Sequence, residues 1–209
     1  MIPLVIIGAG GHARVVIELV RAAGRFNIVG LLDPAPPSDR ILGVKVLGDD
    51  GALADLRANG ISHAFVALGA NAVRQRVANR LAEMDFTRPC LAHPSAEISP
   101  SAERRAGSLV MARAVLGTEA LLDEDAILNT GAVADHDVRL GACCHVAPGC
   151  ALAGGVVVGA RSFLGVGTSV RPEIRIGSDV VVGAGAAVVS DLSDGIRAIG
   201  VPAKPMKGV

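Results

Sequence analysis

The stretch LGACCHVAPGCALAGGVVVGARSFLGVGTSV, residues 140–170, places an aliphatic residue at every sixth position: Leu140, Val146, Leu152, Val158, Leu164 and Val170. The phase continues through Ile98, Val110, Leu116, Leu122 and Leu128 before it and Ile176, Val182 and Val188 after it, with Arg104 and Ala134 as exceptions. Four residues after each member runs a second column of small or branched side chains: Ala114, Ala120, Ala126, Ala132, Val138, Cys144, Cys150, Val156, Ser162 and Thr168. Two inward columns at a period of six describe a coil of short strands, in which each turn buries its apolar face only against its neighbours. That is a parallel β-helix. Glycine follows the aliphatic residue at Gly117, Gly141, Gly159, Gly165, Gly177 and Gly183, and Asp123, Asn129 and Asp135 take the same slot. These residue types predict a corner with positive φ at that slot.

The repeat resembles the left-handed β-helix of the hexapeptide-repeat acyltransferases, in which three hexads make one triangular coil. The sixteen hexads from 98 to 188 then form about five coils, a prism about 25 Å long at roughly 4.8 Å per stacked strand. The all-β C-terminal domain is therefore expected over residues 93–209, and an N-terminal domain over 1–92.

The N-terminal part has a different grammar. IPLVII at 2–7 is a continuous apolar run, followed by the turn Gly8-Ala9-Gly10-Gly11 and a helical pattern over 12–23. Strands are expected at 28–32, 44–47, 64–68 and 87–91, with helices at 50–59 and 71–84. The alternation predicts a small parallel βαβ sheet, half of a Rossmann-like domain. The glycine turn offers backbone N–H groups and a helix N-terminus to an anionic phosphate. Gly8-x-Gly10-x-x-Ala13 with Asp33 at the end of the second strand also fits a relaxed dinucleotide fingerprint, but no second mononucleotide half follows, which favours one nucleotide over NAD. His12, inside the turn, is either a ligand contact or a solvated polar residue. His63 and His93 are read as structural.

Twenty basic and twenty acidic residues, with 2% aromatics, leave neither a field for polyanions nor a stacking platform, so nucleic acid is not an expected partner. The apolar run 1–11 lacks a basic leader and is too short to span a membrane, which predicts a cytoplasmic protein. Cys90, Cys143, Cys144 and Cys150 form no metal-ligand spacing, and no metal is expected. Cys144 and Cys150 fall in the inward column and read as small buried hydrophobes. Cys143 is a poor nucleophile candidate, because no cation or helix N-terminus is evident to lower its pKa.

Two histidines interrupt the repeat, His136 and His145, neither of them in an inward column. His136 stands between Asp135 and Asp137, and neighbouring carboxylates orient an imidazole and raise its basicity. The segments 129–137, 145–149, 153–155 and the terminal Gly200-Val201-Pro202-Ala203-Lys204, together with the turn Gly8-Ala9-Gly10-Gly11-His12, resemble the bacterial sugar acetyltransferases of the NeuD/PglD type.

The resemblance implies a homotrimer with active sites between neighbouring prisms, taking acetyl-CoA along the β-helix and a nucleotide-linked amino sugar from the N-terminal domain, in the biosynthesis of bacillosamine-like or perosamine-like surface sugars. It implies His136 as catalytic base, supported by Asp137 where better-known members carry Glu, with Asp135 able to share that role. His145, Val166 and Ala184 match acetyl-CoA contacts. Gly10, Gly11, His12, Asp33, Pro34 and Gly69 match the nucleotide-sugar site, and Asn129 a contact with the acceptor sugar. Pro34 stands where relatives can carry a second acid. Three other readings stay open: a sialic acid or other sugar O-acetyltransferase with the same machinery, a non-catalytic nucleotide-sugar-binding trimeric scaffold, and an NAD-dependent oxidoreductase.

Overall fold

The computed structural model describes residues 1–206, and the chain divides into one unit at Met1–Pro94 and another beginning at Ser95. The first unit alternates strands and helices: β1 (Ile2–Ile7), α1 (Gly11–Ala23), β2 (Phe26–Leu32), β3 (Arg40–Ile41), β4 (Val44–Gly48), α2 (Leu53–Ala58), β5 (His63–Val66) and α3 (Asn71–Glu83). The sheet order is β3-β4-β2-β1-β5, parallel except for the short antiparallel edge strand β3. β1 is an inner strand, and its residues Leu4 to Ile7 are buried, which explains its unbroken apolar run. Because β2 and β5 flank β1 on opposite sides, the chain reverses direction across the sheet at β1, and the crevice beyond its carboxyl end is where open α/β sheets bind ligands.

Several boundaries differ from the sequence reading. The second strand begins at Phe26, the helix expected from 50 opens with a 3₁₀ turn at Asp50–Ala52, and β3 was not foreseen. The strand expected over 87–91 is absent as such. Thr87 makes a single parallel bridge to His63, and a two-residue strand follows only at Leu91–Ala92. Pro89 lies between, with no N–H to donate to a ladder.

In the second unit, two-residue strands recur every six residues from Glu97–Ile98 to Ala187–Val188. Each up to Ser169–Val170 pairs in parallel with the strand eighteen residues on, Val115 with Val133, Leu121 with Arg139 and Ile127 with His145, so three hexads make one coil. Both inward columns are buried throughout the coils from Val110 onward, Ala134 included, whereas Arg104 in the first coil is exposed. The polar members are satisfied by turn carbonyls. Ser162 Oγ donates to Gly177 O at 2.6 Å and Thr168 Oγ1 to Gly165 O at 2.7 Å.

The corner glycines need a different explanation from the expected one. None of Gly117, Gly141, Gly159, Gly165, Gly177 or Gly183 has positive φ. The left-handed residue lies two positions later in every hexad from Arg104 to Val182, at Gly107, Arg113, Glu119, Asp125, Gly131, Asp137, Cys143, Gly149, Gly155, Arg161, Gly167, Glu173, Asp179 and Gly185. The glycines after the aliphatic residue serve close approach instead. A Cβ would stand 2.7 Å from Asp135 C at Gly117, 2.9 Å from Val158 O at Gly141, 2.5 Å from Gly177 C at Gly159 and 2.6 Å from Ala184 N at Gly165, all backbone of the next coil. Asp123, Asn129 and Asp135 in that slot accept the following N–H with their side chains, at 2.8, 2.8 and 2.7 Å.

Gly159→Ala is therefore expected to lower the unfolding free energy by about 1–3 kcal/mol, the usual cost of overpacking. Gly149→Asn should cost less in the same equilibrium denaturation experiment, since Gly149 has φ +68° and open space around a Cβ, and Asn tolerates that region.

Candidate active site

At the carboxyl end of β1, Gly8 adopts φ +114° and a Cβ there would stand 2.8 Å from Ala67 O, so only glycine lets the turn lie this close to the end of β5. Asp33, just past β2, closes the turn from the other side: Oδ2 accepts from Ala9 N at 2.8 Å and Oδ1 from Ala35 N at 2.9 Å. Helix α1 then starts without a side-chain cap at Gly10, a terminus of the kind whose first-turn N–H groups can hold an anion. At Gly10, Gly11 and Gly69 an added Cβ would meet nothing within 4 Å, which leaves backbone there open to a ligand. A cavity of about 280 Å³ adjoins this turn, lined by Gly8, Asp33, Pro34, Asp50, Leu68 and Arg76 among others.

His12 is half-buried in the same turn, and its pKa falls to about 4, first through burial and then through the neighbouring Arg74 guanidinium. It is neutral at neutral pH, a hydrogen-bonding group and not a cation. Arg74 on α3 is 1% exposed; it donates to Leu68 O at 2.9 Å, Gly69 O at 3.2 Å and Asn71 Oδ1 at 2.8 Å, and so fixes the loop after β5. The sequence reading missed it, although Arg74 shares a helical face with Val77, Ala78 and Leu81 at spacings of three, four and seven.

On the β-helix, His136 and its two aspartates are brought together at the corner that follows the strands Val133–Ala134 and Ala151–Leu152. Asp137 Oδ2 lies 2.8 Å from His136 Nδ1, and Asp135 Oδ1 accepts the backbone N–H of His136 at 2.7 Å. The two carboxylates thus divide the work, one orienting the ring and the other holding the corner. Asp137 reaches the ring from a left-handed backbone at φ +61°. With Nδ1–H donating to Asp137, Nε2 is the free basic nitrogen. The ring is 61% exposed, and its pKa is raised from 6.5, first by the Asp137 hydrogen bond and next by the charge of Asp135. A depression of about 470 Å³ surrounds it, lined also by Gly154, Gly155, Pro172 and Glu173.

His145, Val166 and Ala184 sit elsewhere on the prism. His145 points away from the inward columns yet is only 8% exposed, because it packs edge-on against Phe163 with ring centroids 5.3 Å apart and receives a 2.9 Å bond from Asn129 Nδ2 at Nε2. Val166, 55% exposed, and Ala184, also exposed, stack one coil apart at the corner that follows Phe163–Leu164 and Val181–Val182. Within one chain, the His136 group and the Val166 group therefore occupy two different corners. Among the described residues, no three His, Cys, Asp or Glu side chains are gathered as a metal site would need, and no helix is long and apolar enough to cross a membrane.

Residues 3–81 match the family model of the PglD N-terminal domain. A perosamine N-acetyltransferase variant from Caulobacter crescentus, solved with CoA and GDP-perosamine, is 49% identical over 99% of this chain and 97% of its own, with TM-score 0.96. The chain belongs to the NeuD/PglD family of sugar acetyltransferases. The acetyltransferase domain of PglB from Neisseria gonorrhoeae, solved with acetyl coenzyme A, is 39% identical over 98% of both chains at TM-score 0.93. WeeI from Acinetobacter baumannii AYE, 20% identical over 99% of this chain and all of its own, shares the fold at TM-score 0.87. The family assignment agrees with the half-Rossmann-like α/β domain and the β-helix described above.

Asp137→Asn removes the largest cause of the raised His136 pKa, so the histidine should titrate at lower pH in the variant, and Asp135→Asn should move it less. Titration of ¹³C-labelled histidine by NMR reads both; an unmoved resonance in Asp137→Asn would count against the 2.8 Å contact.

Proposed function

We propose that this protein transfers an acetyl group from acetyl-CoA to the amine of a nucleotide-linked amino sugar. The observation that carries the reading is an exposed imidazole with Nδ1 on a carboxylate and Nε2 free, in a chain 49% identical to an enzyme that acts on GDP-perosamine. The N-acetyltransferase activity of that relative favours an amine over a hydroxyl acceptor, and GDP-perosamine is the first substrate to try.

The nucleotide fits the unit that holds Gly10, Gly11, His12, Asp33, Pro34 and Gly69. The diphosphate would meet the α1 N-terminus, and the nucleoside the cavity beside Asp33 and Pro34. Exposed Val166 and neighbouring Ala184 offer apolar surface to the pantetheine arm of CoA, with His145 close by on the same sheet. A site that uses this corner together with His136 draws them from two copies of the chain, which supports a homotrimer of prisms closed by threefold symmetry. Four cysteines with no disulfide among them and a reaction between two soluble metabolites support a cytoplasmic setting.

Transfer is direct. The neutral amine adds to the thioester carbonyl as His136 Nε2 takes one of its protons, and backbone donors at the corner stabilise the oxyanion. The C–S bond then breaks, the amide remains on the sugar, and the proton on His136 passes to the departing sulfur, giving CoA thiol. Because the base must be unprotonated, turnover rises with pH through the raised pKa of His136.

The test is release of CoA thiol from acetyl-CoA with GDP- and UDP-linked amino sugars. One amino sugar should turn over, and His136→Ala should reduce kcat by about 10²- to 10⁴-fold, the usual weight of general-base catalysis, while acetyl-CoA binding persists. Near-normal turnover in His136→Ala would remove the histidine from the base role.

A further inference from the structure

We infer that Gly154 is a positioning residue for His136: the missing side chain at 154 is the space that the imidazole occupies while Nδ1 holds Asp137. This rests on the reading of His136 as the base.

The geometry is direct. Position 154 lies one coil beyond His136, and the two coils are joined by Gly155 N donating to His136 O at 3.0 Å. A Cβ built on Gly154 would fall on Cε1 and Nε2 of His136 and stand 3.0 Å from Nδ1. The ring therefore lies across the bare backbone of the next coil, and no rotamer change elsewhere can make room for a methyl group without moving it.

The sequence carries a second, independent sign. In steps of six from Pro100 to Ser190, this corner slot holds Pro, Ala, Thr, Glu, His, Val and Ser, and Gly154 is its only glycine. The fold thus accepts side chains at this slot, as at Thr118 one coil before His136 and Pro172 one coil after Gly154. Nor does the backbone call for glycine, because residue 154 lies outside the left-handed region, which Gly155 occupies instead with φ +69°. What remains to require glycine at 154 is the imidazole. The consequence of a methyl group there follows from exposure: a ring 61% exposed yields before paired backbone does. Displaced, it loses the Asp137 contact that orients Nδ1 and sets its basicity.

The experiment compares wild type, Gly154→Ala, His136→Ala and the double variant. The chain has five histidines, so a ¹³C–¹H spectrum of histidine-labelled protein is small enough to assign His136 by its loss in His136→Ala. In Gly154→Ala the His136 titration should shift down toward 6.5 in the free enzyme, and kcat should fall about 10- to 100-fold, as a displacement of about 1 Å in a reacting group costs. Any loss of thermal stability caused by Gly154→Ala should vanish in the His136→Ala background, where no ring opposes the methyl; if the single variant fails to fold, recovery of folding in the double variant supports the same contact. An unmoved His136 titration, or a stability loss equally large in both backgrounds, overturns the inference. Should His136→Ala keep full turnover, the base reading fails on its own, and the titration still decides what Gly154 does.

Discussion

Parallel pairing of residue i with residue i+18 is the constraint on which the β-helical unit depends. It holds each two-residue strand against the coils before and after it, so that Val110, Leu116, Leu122 and their successors form unbroken apolar columns that no single coil could bury. The same register also aims every outward side chain. His136 lies over position 154 and Val166 beneath Ala184 because the coils cannot slip by one residue without exchanging inward and outward faces. A side chain built on such a framework needs few contacts of its own to be held in place. His136 has one carboxylate on its ring and a second on its backbone N–H, its ring lies over Gly154, and it is otherwise largely exposed.

The α/β unit reaches rigidity by another route. Its parallel sheet is apolar in the centre, and the irregular backbone is concentrated where β1, β2 and β5 end. There the polar groups are matched one by one: Asp33 takes two N–H groups of the surrounding turns, and Arg74 takes two carbonyls of the loop after β5. Burying the guanidinium is tolerable only because its donors are satisfied. Its charge also disfavours a proton on His12.

The two histidines in the candidate regions are consequently tuned in opposite directions by the same physics. His12 loses solvent and faces a cation, so its charged form is penalised, whereas His136 keeps solvent and faces carboxylates, so its charged form is favoured. The first is suited to a neutral hydrogen bond beside a phosphate, the second to accepting a proton. Neither property belongs to histidine as a residue type; each follows from what folding places within a few ångströms.

The period of six, the strand–glycine–helix opening and the aspartates around His136 could be read without coordinates, because they are local patterns whose repeat length equals that of the structure they form. The family followed from short motifs of the same kind. What only the tertiary structure decided depends on contacts between residues far apart in the chain. Whether a corner glycine serves φ or close approach is set by the coil eighteen residues on, and the answer for Gly117 and Gly159 was close approach. His145 reads as an outward polar residue but is covered by Phe163, again eighteen residues away. Asp135 and Asp137 are equivalent in sequence, and the left-handed backbone at 137 turned that carboxylate toward the ring. Spacing alone cannot supply these distinctions, since burial, electrostatic shift and clash are properties of neighbours in space.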